Sequence, residues 1–311
     1  MKNASEHSCV VTVVTPTYNR ATYLRRLYGS LCVQTFTDFE WVVVDDGSSD
    51  GTGPIVREWQ RNSPFPIRYL RQENSGRHIA VNCGVREARG EYCAVIDSDD
   101  WYVPRALERM LYYWGTLEEE RDRFANVEGL CVHEDGSLVG TRFPADVLDS
   151  NNFELVFKHK VRGDKKGMYR TAVLRAFPFP ETKGIFVSED AVFFKIAESF
   201  SSRFVNEIWA YNEYLPGGIR MSMEKDKQPF ATGLLLQQET LIALRLDKPA
   251  RLVLKSYANF VRYSLHAGRG FREQFSRAPT PLLWATLVPV GILLYLKDEI
   301  STRRSAAGVP P

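Results

Sequence analysis

The stretch Ala94-Val95-Ile96-Asp97-Ser98-Asp99-Asp100 joins a short apolar run to three carboxylates within four residues. Carboxylates that close repel one another, and each is costly to desolvate. The run reads as a buried strand that delivers acids to its carboxyl end, where a cation offsets them. With oxygen ligands and no His or Cys alongside, Mg²⁺ or Mn²⁺ is expected rather than zinc. Such an ion takes few protein carboxylates and completes its shell with water and substrate phosphates. The competing reading is a turn entering a helix after Pro104, but three acids exceed what one cap requires.

Upstream, apolar runs alternate with amphipathic ones. Strands are predicted over Val10–Thr15, Phe39–Val44, Ile67–Leu70 and Glu91–Ile96. Helices are predicted over Ala21–Gln34, through Ile55–Gln60, and over Ile79–Ala88. This order implies an α/β fold, a mainly parallel sheet flanked by helices. Ligands in such sheets bind beyond the carboxyl ends of the strands. The polar loops fall there: Thr15–Arg20, Asp45–Asp50 and Asp97–Asp100. Three loops distant in sequence are thus expected on one rim.

Beyond Pro104 the pattern is less regular. Ala106–Tyr113 and Val187–Phe200 read as helices, and Glu118–Arg123 as a solvated charge run. From Pro229 the chain reads as mainly helical. Pro281–Leu296 (PLLWATLVPVGILLYL) is almost wholly apolar. It falls short of the roughly 20 residues of a membrane span, and Pro289 is expected to interrupt it. Arg251, Lys255, Arg262, Arg269, Arg272 and Arg277 precede it against Glu273 alone, and Lys297, Arg303 and Arg304 follow. Basic flanks around a short apolar run predict peripheral contact with an anionic membrane. The competing reading is a helix buried in the fold or in an oligomer.

The 311 residues, 44% of them apolar, suffice for a sizeable core, and a net charge of +2 names no partner. Nucleic acid is not expected. Cys32, Cys83 and Cys93 lie among apolar or small residues and are expected in the core, reduced. Met1–Ser8 is polar, so no secretory signal is expected there and the cytoplasm is the expected location. Neither GxGxxG nor GxxxxGK[ST] occurs, so a dinucleotide or P-loop site has no support.

Jointly these loops resemble the nucleotide-binding half of family 2 glycosyltransferases. The residues that carry the resemblance are Thr12–Arg20, Gln34–Glu40, Val43–Thr52, Asn74–His78 with Ala80 and Asn82, and Asp97–Asp100 as a DxD motif. It covers roughly the first 105 residues and implies an A-type glycosyltransferase fold and a nucleotide-sugar donor, with a UDP-sugar expected. By position, Thr15, Pro16 and Tyr18 would line the nucleoside pocket. Asp46, with Asp45, would read the base, and Arg77 would lie near the base or diphosphate. Asp97 and Ser98 would lie near the ribose, and Asp99, with Asp100, would hold the metal.

Ser188-Glu189-Asp190 resembles the family's acidic element that takes the acceptor proton in inverting transfer. Asp190 is the first expectation for the base and Glu189 the second, against a plain helix N-cap. Lys158–Lys165, Tyr169-Arg170, Phe177–Glu181, Asn206-Glu207 and Tyr211–Gly218 resemble the acceptor half of a bacterial branch that builds surface polysaccharides. Lys165, Lys166, Arg170 and Arg220 are weighed as diphosphate contacts against solvated surface charge. The expected layout is a catalytic domain over 1–228, divided into a donor half (1–105) and an acceptor half (106–228). A helical, basic and apolar region follows over 229–311. The expected acceptor is a glycan on a polyprenyl diphosphate at the inner face of the cell membrane. The alternatives are a non-catalytic nucleotide-sugar-binding scaffold and a sugar nucleotidyltransferase. The latter would carry a glycine- and cation-rich loop after its first strand, and Thr15–Arg20 has no glycine.

Overall fold

The computed structural model describes residues 9–213 and 227–306. Two compact units form: Met1–Lys183 with Ser199–Leu215, and Gly184–Glu198 with Pro216–Pro311.

The first unit opens with β1 (Val11–Thr17), α1 (Ala21–Cys32), β2 (Phe39–Asp45), α2 (Thr52–Asn62), β3 (Ile67–Arg71), α3 (Arg77–Glu87) and β4 (Tyr92–Val95). The alternation predicted from the apolar runs is thus borne out. These four strands pair in parallel in the order β3-β2-β1-β4. Every residue of β1 and β2 is buried, as expected for parallel strands covered on both faces. On α1, Leu24, Leu27 and Leu31 face the sheet. Tyr28 stacks on Trp59 at 4.3 Å beside them. Helix α3 lies close against the other face. A Cβ on Gly84 would come within 2.3 Å of Val14 Cγ1, so only glycine admits this approach.

The sheet then turns mixed. After β5 (Trp101–Tyr102) and α4 (Ala106–Gly115) come β6 (Phe124–Val132), β7 (Val147–Ser150), α5 (Asn152–Phe157), β8 (Lys165–Arg170), α6 (Thr171–Ala176) and, in the same unit, β9 (Ser201–Tyr211). The order continues β4-β8-β6-β9-β5, with β7 also on β9. Strand β8 runs antiparallel to β4 and β6, while β6 and β9 are parallel. These strands escaped the apolar pattern because polar residues interrupt them. All nine residues of β6 are buried, Asn126 and Glu128 included. Glu128 accepts from the Tyr169 hydroxyl at 2.6 Å, and Asn126 from Ser202 at 2.5 Å. Glu118–Arg123 is a 3₁₀ turn with no buried residue, as the charge run suggested.

Cys93 is buried but Cys32 is exposed, against expectation. It follows Leu31 at the end of α1, about 100° around the helix from that buried residue.

In the second unit, α7 (Asp190–Ile196) is shorter than the helix predicted over Val187–Phe200. It is followed by α8 (Lys227–Ala243), α9 (Ala250–His266), α10 (Phe271–Arg277) and α11 (Pro281–Ala306). Leu235, Tyr257, Phe260, Val261 and Trp284 form their core. Pro289 does not interrupt α11, contrary to expectation; the helix runs through it. A proline deprives one carbonyl of its partner, and a long helix absorbs that loss as a local bend. Pro281–Ser301 is consequently long and apolar enough to cross a membrane by length and composition. Asp298 turns toward α9, where Arg262 grips it with two bonds of 2.6 and 2.7 Å. Leu282, Val290, Leu293, Leu296 and Ile300 are exposed.

Candidate active site

The carboxyl ends of β1, β2 and β4 lie side by side, and their loops are tied together. Thr17 pairs with Asp45 in register, and the Asp46 N–H donates to the Thr17 carbonyl at 2.8 Å. The Asn19 N–H donates to Ser48 Oγ at 2.9 Å, and the Ala21 N–H to Asp50 at 3.0 Å. Arg20 reaches the third loop, 3.2 Å from Asp99. The rim expected from three separate loops is one structure.

Thr15 and Pro16 are buried, and Tyr18 is exposed. Thr15 Oγ1 accepts from the Trp41 indole at 3.0 Å, so its hydroxyl is engaged in the core. Asp45 accepts from the Ser48 N–H at 2.7 Å and the Tyr69 hydroxyl at 2.5 Å. Burial, then Asp45, pushes that hydroxyl up to about 12. Gly47 adopts φ +88°, which sends the loop back so that Ser48 can reach Asp45. Asp46 gathers the 72–76 loop. Its Oδ1 accepts from Gln72 Nε2 (2.7 Å) and the Ser75 N–H (2.9 Å), and its Oδ2 from the Gly76 N–H (2.8 Å). A carboxylate oxygen has two lone pairs, so Asp46 Oδ2 retains acceptor capacity.

The acidic cluster divides by partner. Arg77 grips Asp97 with two bonds, 2.5 and 3.1 Å. Burial works against the Asp97 charge, but Arg77 and Lys166 overcome it and hold the carboxyl well below the usual range. Ser98 is buried. Asp99 is partly exposed, and burial, then the Asp97 charge, raises its carboxyl. Asp100 faces inward, 2% exposed, 2.7 Å from Lys166 Nζ. Burial pushes it up to about 6 despite that ammonium. Beside the cluster Arg26 stacks on Trp101 at 3.7 Å, and Trp101 on Tyr211 at 4.9 Å.

No three His, Cys, Asp or Glu side chains converge as a metal cage among the described residues. That fits a magnesium-type ion, which takes one or two carboxylates and draws its other ligands from water and phosphate. The partly exposed carboxylate of Asp99, with no His or Cys alongside, suits such an ion.

Glu189 and Asp190 lie in the second unit, at the start of α7. Glu189 is exposed. Asp190 accepts from the Gln237 amide at 2.8 Å, and burial, then the Glu189 charge, pushes it up to about 6. Gln237 on α8 escaped the sequence reading, since nothing local marks a glutamine as the partner of an acid 47 residues away.

The other weighed cations are occupied. Lys165 donates to the carbonyls of Arg162 and Gly163, and Arg170 to Asp122 and the Phe124 carbonyl. His78 contacts the Thr182 carbonyl at 3.0 Å, and burial lowers its basicity. Arg220 and Tyr214–Gly218 lie outside the described residues.

Comparison with known proteins agrees with this fold. The profile of glycosyl transferase family 2 matches residues 12–120. EpsH of Bacillus subtilis is 26% identical over 91% of this chain and 82% of its own length. Other curated relatives match in part: the chain spans 49% of a glycosyltransferase from Nostoc and 15% of GlyA from Streptococcus pneumoniae. Among solved structures, residues 1–349 of Staphylococcus aureus TarS in complex with UDP-GlcNAc superpose with a TM-score of 0.64. Identity is 20%, over 89% of this chain and 79% of that one. The mannosyltransferase PcManGT from Pyrobaculum calidifontis, in complex with GDP-Man and Mn²⁺, gives 0.54 at 20% identity, over 96% and 84%. The fold is that of these structures, and residues 12–120 carry the resemblance to glycosyl transferase family 2.

Proposed function

We propose that this chain is an inverting glycosyltransferase that moves a sugar from a nucleoside diphosphate to an acceptor hydroxyl. The observation that carries this is the joining of the β1, β2 and β4 loops into one rim, with Asp46 and Asp99 on it. In this reading Tyr18 and the Pro16 backbone border the nucleoside, and Asp46 Oδ2 accepts the N3–H of a pyrimidine base. Arg77 and Asp97 together fix the wall beside the ribose and diphosphate, next to Ser98. Asp99 would hold Mg²⁺ or Mn²⁺, which when bound offsets charge on the leaving diphosphate. The UDP-GlcNAc and GDP-Man complexes of TarS and PcManGT support a nucleotide-sugar donor.

Inversion requires a base opposite the leaving group to take the acceptor proton. Asp190 is that base in this reading, with Glu189 as its acidic neighbour. Burial makes Asp190 a better proton acceptor than an ordinary carboxylate. Residues 1–105 serve the donor, 106–228 the acceptor, and 229–311 the membrane. The exposed leucines of α11, with basic residues on α9 and α10, favour a lipid-linked glycan at the inner membrane face as acceptor.

A panel of UDP- and GDP-sugars, each with Mn²⁺, tests the donor by thermal shift, because a ligand at 100 times its Kd adds about 2.7 kcal/mol. Radiolabel transfer to membrane extracts tests the reaction. A donor that raises Tm and labels a lipid fraction is the expected result. A panel that neither shifts Tm nor transfers sugar overturns the reading. For the membrane, Leu293→Glu/Leu296→Glu should abolish sedimentation with phosphatidylglycerol vesicles; unchanged sedimentation excludes α11 as the contact.

A further inference from the structure

Lys166 is a buried cation inside an acidic cluster that the proposed function assigns to a divalent ion. Its position follows from the sheet. Strand β8 runs antiparallel to β4, with Cys93 opposite Tyr169 and Tyr92 opposite Arg170. Continued by three residues, that register sets Lys166 level with Ile96, where the chain leaves β4 for the cluster. The side chain is 10% exposed, and Nζ stands 2.7 Å from Asp100 Oδ2 and 3.4 Å from Asp97 Oδ2.

The rest of the Asp100 carboxylate is also occupied. Asn212 Nδ2 donates to Oδ2 and the Glu213 N–H to Oδ1, each at 3.2 Å. Asp97 has both oxygens on Arg77. Asp99 differs: its side chain is 22% exposed, and its ion pair is with Arg20, itself partly exposed.

We infer that Lys166 is a positioning residue that removes Asp100 from the ligand set of the divalent ion and leaves Asp99 as the carboxylate that meets it. The inference rests on the donor-site reading above. The reason is electrostatic. An ion bound to Asp100 would stand a few ångströms from a buried ammonium, where like charges repel strongly. To yield, Lys166 would have to leave a nearly closed site and give up its contacts with Asp97 and Asp100. The ion therefore settles on the side away from Lys166, where Arg20 can swing out.

Direct Mn²⁺ titration of the full chain, followed by electron paramagnetic resonance with and without UDP, tests this apart from turnover. Asp99→Asn should weaken Mn²⁺ binding by about thirtyfold or more, about 2 kcal/mol. Asp100→Asn should change it by less than about threefold. Lys166→Met should tighten binding of the bare ion by about tenfold, because it removes a repelling charge. A lysine with a merely structural role gives the opposite sign, since a disordered cluster binds Mn²⁺ more weakly. Lys166→Met/Asp100→Asn removes both partners of the buried pair, and should fold and bind Mn²⁺ like the native chain. Should Lys166→Met not fold, the double variant and Asp100→Asn decide.

Asp100→Asn as damaging as Asp99→Asn, or a folded Lys166→Met with unchanged or weaker binding, overturns the inference. So does a double variant that has lost Mn²⁺. Native Mn²⁺ binding that neither Asp99→Asn nor Asp100→Asn weakens overturns instead the donor-site reading on which it rests.

Discussion

Two acidic elements of this chain contrast in how their charge is met. Asp97–Asp100 in the first unit is matched nearly one for one: Arg77 and Lys166 on Asp97, Arg20 on Asp99, Lys166 on Asp100. Asp190 in the second unit meets an uncharged amide, Gln237, and no cation among the described residues. Burial raises both Asp97 and Asp190, but only Asp97 has cations that reverse it. One carboxylate is thus held as an anion, and the other is pushed up to about 6. A pair of acids whose surroundings drive them apart in this way is how one protein separates binding from proton transfer.

The comparison breaks first at Asp190. Asp190→Asn should lower kcat by about 10³-fold, within the range for losing a general base, and leave donor Kd unchanged. A larger loss from Glu189→Gln would move the base to Glu189.

Arg77→Met should destabilise the chain by about 2 kcal/mol at pH 7, read by urea unfolding, because it strips a two-point charged bond from Asp97. The sign with pH follows from linkage. The folded-state value of Asp97 is depressed. Its stabilisation is therefore present above the unfolded value of about 4 and is lost as pH falls below it. The gap between Arg77→Met and the native chain should close on acidification, and a gap that persists would assign Arg77 to its other contacts.

The smallest effect concerns the pH profile. A base at about 6 must be ionised, so kcat/KM should rise with pH up to about 6 and flatten above it. Glu189→Gln removes the negative neighbour and should move that limb down by less than about one unit. A limb near 4 would show that Asp190 is not the titrating base.

The first half of the fold was legible because each element there states itself locally. Parallel strands covered on both faces read as near-continuous apolar runs, as Val13-Val14, Trp41–Val44 and Cys93–Ile96 do. The polar loops at their ends announced the rim for the same reason. The second half of the sheet was not legible. β6 buries Asn126 and Glu128 by hydrogen-bonding them to Ser202 and Tyr169, partners far along the chain. Periodicity sees only neighbours in sequence, so such a strand looks irregular. Pro289 misled in the opposite direction, since a local breaker was overruled by the helix continuing on both sides of it.

The sequence by itself determined the parallel α/β half, the three loops, and the carboxylates from which the site is built. Those follow from local composition, because burial and turn chemistry act on adjacent residues. Tertiary structure alone decided the partners. Arg77 and Lys166, 20 and 69 residues from Asp97, hold that acid as an anion, and Gln237, 47 residues from Asp190, meets that acid with an uncharged amide. Charge regulation acts through space over a few ångströms. The same residue type is therefore held as an anion in one place and pushed toward protonation in the other.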